Sequence, residues 1–203
     1  MVKLYAGLAA AATAALLGGT FGYIYLMRSD DPYAACRNGQ VAGGSIGGPF
    51  TLTDQTGASV TEAEVLAQPA LVYFGYTFCP DVCPLDNARN AEAADILEEM
   101  GHQVNPVFIT VDPGRDTVEV MAEYAEVFHP RMQALTGSEE QVKAAAQAYK
   151  VYSQAHDKTD DYYLVDHSTF TYLMLPGTGF AEFFKREESA DRIAERVSCF
   201  LDG

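Results

Sequence analysis

Basic residues are scarce in this chain: 13 Lys and Arg stand against 28 Asp and Glu, a formal net charge of −15 over 203 residues. The imbalance is uneven. Residues 1–28 contain no acid and only Lys3 and Arg28 as bases, which leaves 11 bases against 28 acids in the remainder, a net of −17. A surface of that sign repels nucleic acid and anionic headgroups, so phosphate-binding functions drop out. It tolerates a cationic ligand or partner. Cysteine is scarce too, four in all, too few for a mini-protein held by disulfides. No internal repeat is present. The length leaves room for one domain and little more, and 48% hydrophobic with 20% charged residues excludes a disordered chain.

What is present begins with a run free of charge. Tyr5 to Met27 contains no charged residue, and as a helix its 23 residues would be about 34 Å long, enough for a hydrocarbon core of roughly 30 Å. The reading is a single membrane anchor over residues 1–28, a tether over 29–47 rich in Gly, Ser and Asp, and a folded domain over 48–203. A cleaved signal peptide is the competing interpretation. The run is longer than a usual signal core, and no small-x-small site follows it closely. This start points to a bacterial inner-membrane protein with its globular part in the periplasm.

In the domain, Phe50–Thr53 alternates like a strand, and Asp54–Gly57 supplies a turn. Leu71–Tyr76 and Val104–Val111 are continuous apolar runs, which suggests strands buried on both faces. Residues 85–100 read as a helix stopped by Gly101, and 116–128 as another. Met132–Thr136 suggests a short strand. Ser138 and Ser189 cap helices that run to about Tyr149 and Phe200. Tyr162–Val165, Thr169–Leu175 and Phe180–Phe184 read as strands, with their aromatic residues in the core. Strands alternating with helices imply an α/β domain with a partly parallel central sheet. A cysteine pair at the carboxyl end of its first buried strand is the thioredoxin-like arrangement.

That pair carries the chemistry. The stretch reads Gly75-Tyr76-Thr77-Phe78-Cys79-Pro80-Asp81-Val82-Cys83-Pro84. A helix N-terminus favours thiolate over thiol, the form needed for metal binding and for disulfide exchange. Three residues between the sulfurs allow either a disulfide or the clasping of one metal. A metal would need a further ligand. Of the four histidines, His167 stands apart, at a junction between two expected strands beside Asp166; a structural, hydrogen-bonded histidine is the alternative. Asp166 is a candidate to orient its ring. Two thiolates with one imidazole suit Cu(I) and can hold Cu(II). Structural zinc would want a fourth protein ligand, and none is evident. Asp81, inside the cysteine loop, is a candidate to tune site charge, or else a helix-start carboxylate.

The stretch from Gly75 to Pro84 resembles the SCO/SenC copper chaperones. Thr110-Val111-Asp112-Pro113-Gly114-Arg115-Asp116-Thr117 and Tyr163-Leu164-Val165-Asp166-His167-Ser168 resemble that family's second and third signatures, and the likeness runs over roughly residues 48–200. It implies a thioredoxin-like fold with an inserted β-hairpin. It also implies one copper, as Cu(I) or Cu(II), bound by Cys79, Cys83 and His167, and a role in metallating the CuA centre of cytochrome c oxidase subunit II. Some members are credited with reducing the cysteines of that centre, which would make Cys79 and Cys83 redox-active. The copper donor is unidentified.

If Cys79 and Cys83 serve a metal, Cys36 and Cys199 are left to form a structural disulfide in an oxidising compartment. Metal delivery and thiol–disulfide exchange both use the dithiol and part at His167, which only the first needs. A thioredoxin-superfamily peroxidase is a third reading. Against it, Thr77 lies two residues before Cys79, where an activating threonine three residues before is expected. Handover by stepwise ligand exchange calls for sulfurs open to solvent.

Overall fold

In the computed structural model, residues 2–26, 33–37, 45–157, 159 and 162–202 are described. The chain divides into two compact units, Met1–Ala34 and Ala35–Gly203. Parts of the expected tether, including Ser29–Pro32 and Gly43-Gly44, lie outside the described residues.

The first unit is a helix, α1 (Val2–Leu26), without an acidic residue in its first turn or a basic one in its last. Among the described residues no helix is long and apolar enough to cross a membrane. The side chains of residues 2–4, 6 and 8–11 fall outside that description.

The second unit is built on a seven-stranded sheet. Its strands are β1 (Thr51–Asp54), β2 (Ser59–Thr61), β3 (Ala70–Gly75), β4 (Asn105–Thr110), β5 (Gln133–Thr136), β8 (Thr171–Leu175) and β9 (Gly179–Phe184), in the order β2-β1-β5-β4-β3-β8-β9. β3, β4 and β5 run parallel, and β1 and β8 flank them antiparallel. A separate two-stranded sheet pairs β6 (Ser153–Ala155) with β7 (Val165–His167). This extra hairpin sheet completes an α/β, thioredoxin-like architecture. The helices are α2 (Glu62–Val65), α3 (Val82–Glu99), α4 (Val118–Phe128), α5 (Glu139–Ala148) and α6 (Ala190–Asp202).

The period-two alternation of strand side chains sorts the core into two layers. Val72 and Phe74 of β3, with Ile109 and Leu135, pack against Val142, Ala145 and Tyr149 on one face. Tyr73, Phe108 and Ala134 point the other way, toward Met121, Ala125, Cys79 and Cys83. The cysteines thus belong to the α3/α4 side of the sheet.

Local signals hold where they are short-range. Ser138 Oγ accepts from Gln141 N, and the Gln141 side chain accepts from Ser138 N, a reciprocal capping box. Gly101, at φ +91°, ends α3 in a left-handed conformation that other residues adopt at a cost.

Several expectations need correction. The strand expected at Tyr162–Val165 begins only at Val165, because Tyr162 and Leu164 are 84% and 50% exposed: the apolar run lies on the surface. Phe170, also expected in the core, is 39% exposed. His167 therefore closes a small separate sheet and does not join two core strands. Helix α3 also starts earlier than expected, at Val82, which moves Cys83 from the loop into the first helical turn.

Candidate metal centre

The first sulfur follows from a strand that ends under a helix. β3 stops at Gly75, the chain turns through Tyr76–Pro80, and α3 begins one residue before Cys83. The turn is held from below. Asp116, fully buried, accepts from Thr77 N at 3.1 Å, from Thr77 Oγ1 at 2.6 Å and from Thr110 Oγ1 at 2.6 Å. Burial raises this carboxyl above its ordinary range, and the three donors only partly oppose that. Thr77 is thereby committed to Asp116 through both its backbone and its hydroxyl.

Cys79 Sγ accepts from Cys83 N at 3.4 Å. Burial pushes the Cys79 thiol up, but backbone donors at Asp81, Cys83 and Val82 outweigh it, and the thiol lies below its ordinary value. Cys83 behaves oppositely: burial drives its thiol well up, and charge on Cys79 adds to the effect. Its place is tight. A Cβ on Gly75 would come within 2.9 Å of Cys83 Sγ and 2.9 Å of Tyr73 Cε1, so only glycine lets the sulfur sit against the end of β3. Asn87 Nδ2 donates to Cys83 O at 2.9 Å and anchors the first helical turn.

The third group arrives from the hairpin sheet. His167 pairs with Ser153 across β6 and β7, and its Nε2 lies 3.2 Å from Cys83 Sγ. Its Nδ1 sits 2.9 Å from the Ser168 carbonyl oxygen. A carbonyl only accepts, so Nδ1 carries the proton and Nε2 presents its lone pair toward the sulfurs. Burial lowers the imidazole below its ordinary value, which favours this neutral form. Tyr73 and Tyr76 meet the ring edge-on, with centroids 6.1 and 5.8 Å away. The ligand atoms of Cys79, Cys83 and His167 all lie within 4.8 Å of one another, a donor set that suits one soft ion.

The two carboxylates singled out in the sequence stand aside. Asp81 is exposed at the N-cap of α3 and makes no side-chain capping bond. Asp166 turns to solvent and pairs with His156 Nε2 at 3.0 Å, while the Ser168 carbonyl takes the orienting place at His167. The other histidines pair elsewhere, His102 with Asp202 and His129 with Asp95. The sulfurs are also more enclosed than handover suggests: Cys79 is 8% exposed and Cys83 0%. A cleft lined by Tyr76, Cys79, Pro80, Val82, Leu164 and His167 leads to the site, so approach is by way of Cys79 and His167.

Sequence reading missed two supports. Tyr73 donates to the buried Asp86 at 3.0 Å, and Arg89 and Arg186 hold that carboxylate at 3.2 and 3.4 Å. The available signal was spacing: Asp86 lies one helical turn after Cys83, and Tyr73 shares a strand face with Gly75. Cys36 and Cys199 form a disulfide with a Cα–Cα distance of 5.7 Å.

Comparisons with known proteins agree with this geometry. The chain is 48% identical over 199 residues to protein SenC of Rhodobacter capsulatus, covering 97% of this chain and 90% of that protein. Its fold matches the copper-bound crystal structure of Arabidopsis thaliana ScoI with a TM-score of 0.75 and 41% identity, over 78% of this chain and 100% of that one. Yeast Sco1 with copper bound matches with a TM-score of 0.72 and 35% identity, over 79% and 90% of the two chains. The SCO1/SenC family model spans residues 38–202, and this chain belongs to that family.

Proposed function

We propose that this protein is a membrane-anchored copper chaperone that takes one copper between Cys79, Cys83 and His167 and delivers it to the CuA centre of cytochrome c oxidase subunit II. The observation that carries the reading is the convergence of two thiols and one neutral imidazole within 4.8 Å. Two thiolates and an imidazole sum to zero charge with Cu(II) and to −1 with Cu(I), so both oxidation states suit the set. Three protein ligands leave copper open to a fourth. A partner thiolate entering from the cleft displaces one ligand at a time, beginning on the Cys79 and His167 side because Cys83 is closed to solvent.

The charge-free run from Tyr5 to Met27 supports the anchor. With it goes a place in a bacterial inner membrane, the domain in the periplasm, where an unidentified donor supplies the copper. The disulfide between Cys36 and Cys199 suits an oxidising compartment.

One observation favours a second, compatible activity. Cys79 lines the cleft while Cys83 is closed to solvent, and their thiols are displaced down and up in turn, an asymmetry that suits an exchange pair with one attacking and one resolving sulfur. Such a dithiol would reduce a disulfide of the target and itself end as a Cys79–Cys83 disulfide, so an outside thiol reductant must reopen the pair before it can hold copper for loading.

The test is anaerobic Cu(I) titration of the reduced full chain in detergent against a competing chelator, beside His167→Ala. Tight one-to-one binding, weakened about tenfold or more in the variant, is expected. Equal binding by both proteins would remove His167 from the ligands and bring dithiol exchange to the front.

A further inference from the structure

The sheet that carries His167 does not pair with the sheet that leads into the cysteines. β8, which begins four residues after His167, pairs with β3, Thr171 opposite Tyr73, and so brings that end of the arm near the sulfurs. On the other side of His167 no pairing to the main sheet exists among the described residues, and side chains hold the arm. Tyr163, four residues before His167, donates its hydroxyl to Asp112 Oδ1 at 2.6 Å. The other oxygen of Asp112 takes Arg115 Nε at 2.5 Å, and these two side chains are 2% and 13% exposed. The Arg115 guanidinium lies 3.6 Å from the ring centroid of Tyr163 and 4.9 Å from that of Phe78, the residue before Cys79. One cation thus joins the histidine-bearing arm, the loop after β4 and the cysteine loop.

We propose that Arg115, with Asp112 and Tyr163, is a positioning clasp that holds His167 over the dithiol without touching the metal. The chemistry fits such a task. A planar guanidinium stacks on aromatic faces while its edge bonds a carboxylate, so it holds two surfaces in a fixed relation. The carboxylate is buried and takes one donor from each side, which ties the arm to the body through a single residue. A ligand held in place ahead of binding loses less freedom when the ion arrives, so the clasp raises affinity through the third ligand alone. A merely structural role would weaken the fold but would not care whether His167 is present.

The proposal rests on the copper reading for one of its two readouts only. The experiment uses the reduced full chain in detergent, with Tyr163→Phe and Arg115→Gln each made with His167 intact and with His167→Ala. Cu(I) affinity is measured by chelator competition, and alkylation of Cys83 in the metal-free protein is followed by mass spectrometry. With His167 intact, each clasp variant is expected to lose about tenfold in Cu(I) affinity. In the His167→Ala background the further loss is expected to be less than about twofold, since the clasp then has no ligand to place. Cys83, 0% exposed, is expected to alkylate several-fold faster once the arm is loosened. Equal losses in both backgrounds, or no loss in either, would overturn the clasp, as would unchanged alkylation of Cys83. An intact chain that binds no Cu(I) overturns the copper reading, and alkylation then decides the clasp by itself. Tyr163→Phe keeps the ring and removes one hydroxyl, so it carries the test even where Arg115→Gln fails to fold.

Discussion

His167 Nε2 lies 3.2 Å from Cys83 Sγ although 84 residues separate them in the chain. The imidazole belongs to a two-stranded sheet of its own, and the sulfur belongs to the first turn of α3. That meeting turns a dithiol, common to many redox proteins, into a three-donor set.

The two sulfurs should differ in reactivity. Cys79 lines the cleft and its thiol lies below the ordinary value of 9.0, whereas Cys83 is enclosed and its thiol lies above it. In the reduced, metal-free protein Cys79 is expected to alkylate first and to keep reacting as pH is lowered beneath 9.0. Mass spectrometry of a time course reads this, and modification of Cys83 ahead of Cys79 would contradict it.

Gly75→Ala should damage the site from beneath. The added methyl meets Cys83 Sγ at 2.9 Å and Phe108 at 3.0 Å, and overpacking of this kind costs about 1–3 kcal/mol. A lower urea midpoint together with weaker Cu(I) binding is expected. A variant with both unchanged would show that the sulfur has room to move.

The disulfide from Cys36 to Cys199 closes a separation of 163 residues. In the loop-entropy model a closure of that length contributes about 5 kcal/mol, an upper figure. Cys36→Ser with Cys199→Ser should lower the unfolding midpoint and abolish its sensitivity to reductant. Alkylation of the unreduced, unfolded chain counts the thiols, and four modified cysteines would rule the bond out.

Asp54 offers a pH test away from the metal. Burial, the largest single influence, raises its pKa, but bonds from Thr56 N, Thr56 Oγ1 and Ala58 N together outweigh it and hold the carboxyl below its ordinary value of 3.8. A lowered folded pKa means that the stabilisation is present above 3.8 and is lost as pH falls through the folded value. Asp54→Ala is therefore expected to cost about 1 kcal/mol near neutrality. The difference from the unaltered protein should shrink as pH is lowered past 3.8; a gap that does not change with pH in urea titrations would count against it.

How much was legible in the sequence depends on the range of the cause. The cap at Ser138, the stop at Gly101 and the buried strands β3 and β4 follow from neighbours a few residues apart, and they stand close to where the sequence suggests. The cysteine pair at a strand–helix junction was legible for the same reason, because spacing and local dipole suffice to mark it. Residues 162–164 were misread because an apolar run has the same composition in a core strand as on a surface. The tertiary structure distinguishes the two: Tyr163 packs on Asp112 and Arg115 while Tyr162 and Leu164 stay exposed.

The sequence by itself determined the α/β order, the acidic domain behind a charge-free N-terminal run, the dithiol and the three signatures that mark the family. Tertiary structure alone decided that His167 reaches Cys83, that Ser168 and not Asp166 fixes its tautomer, and that Cys83 is closed to solvent. Caps and periodicities act within a turn or two of chain. The approach of an imidazole to a sulfur depends on the packing of side chains from three distant segments, which no local pattern encodes.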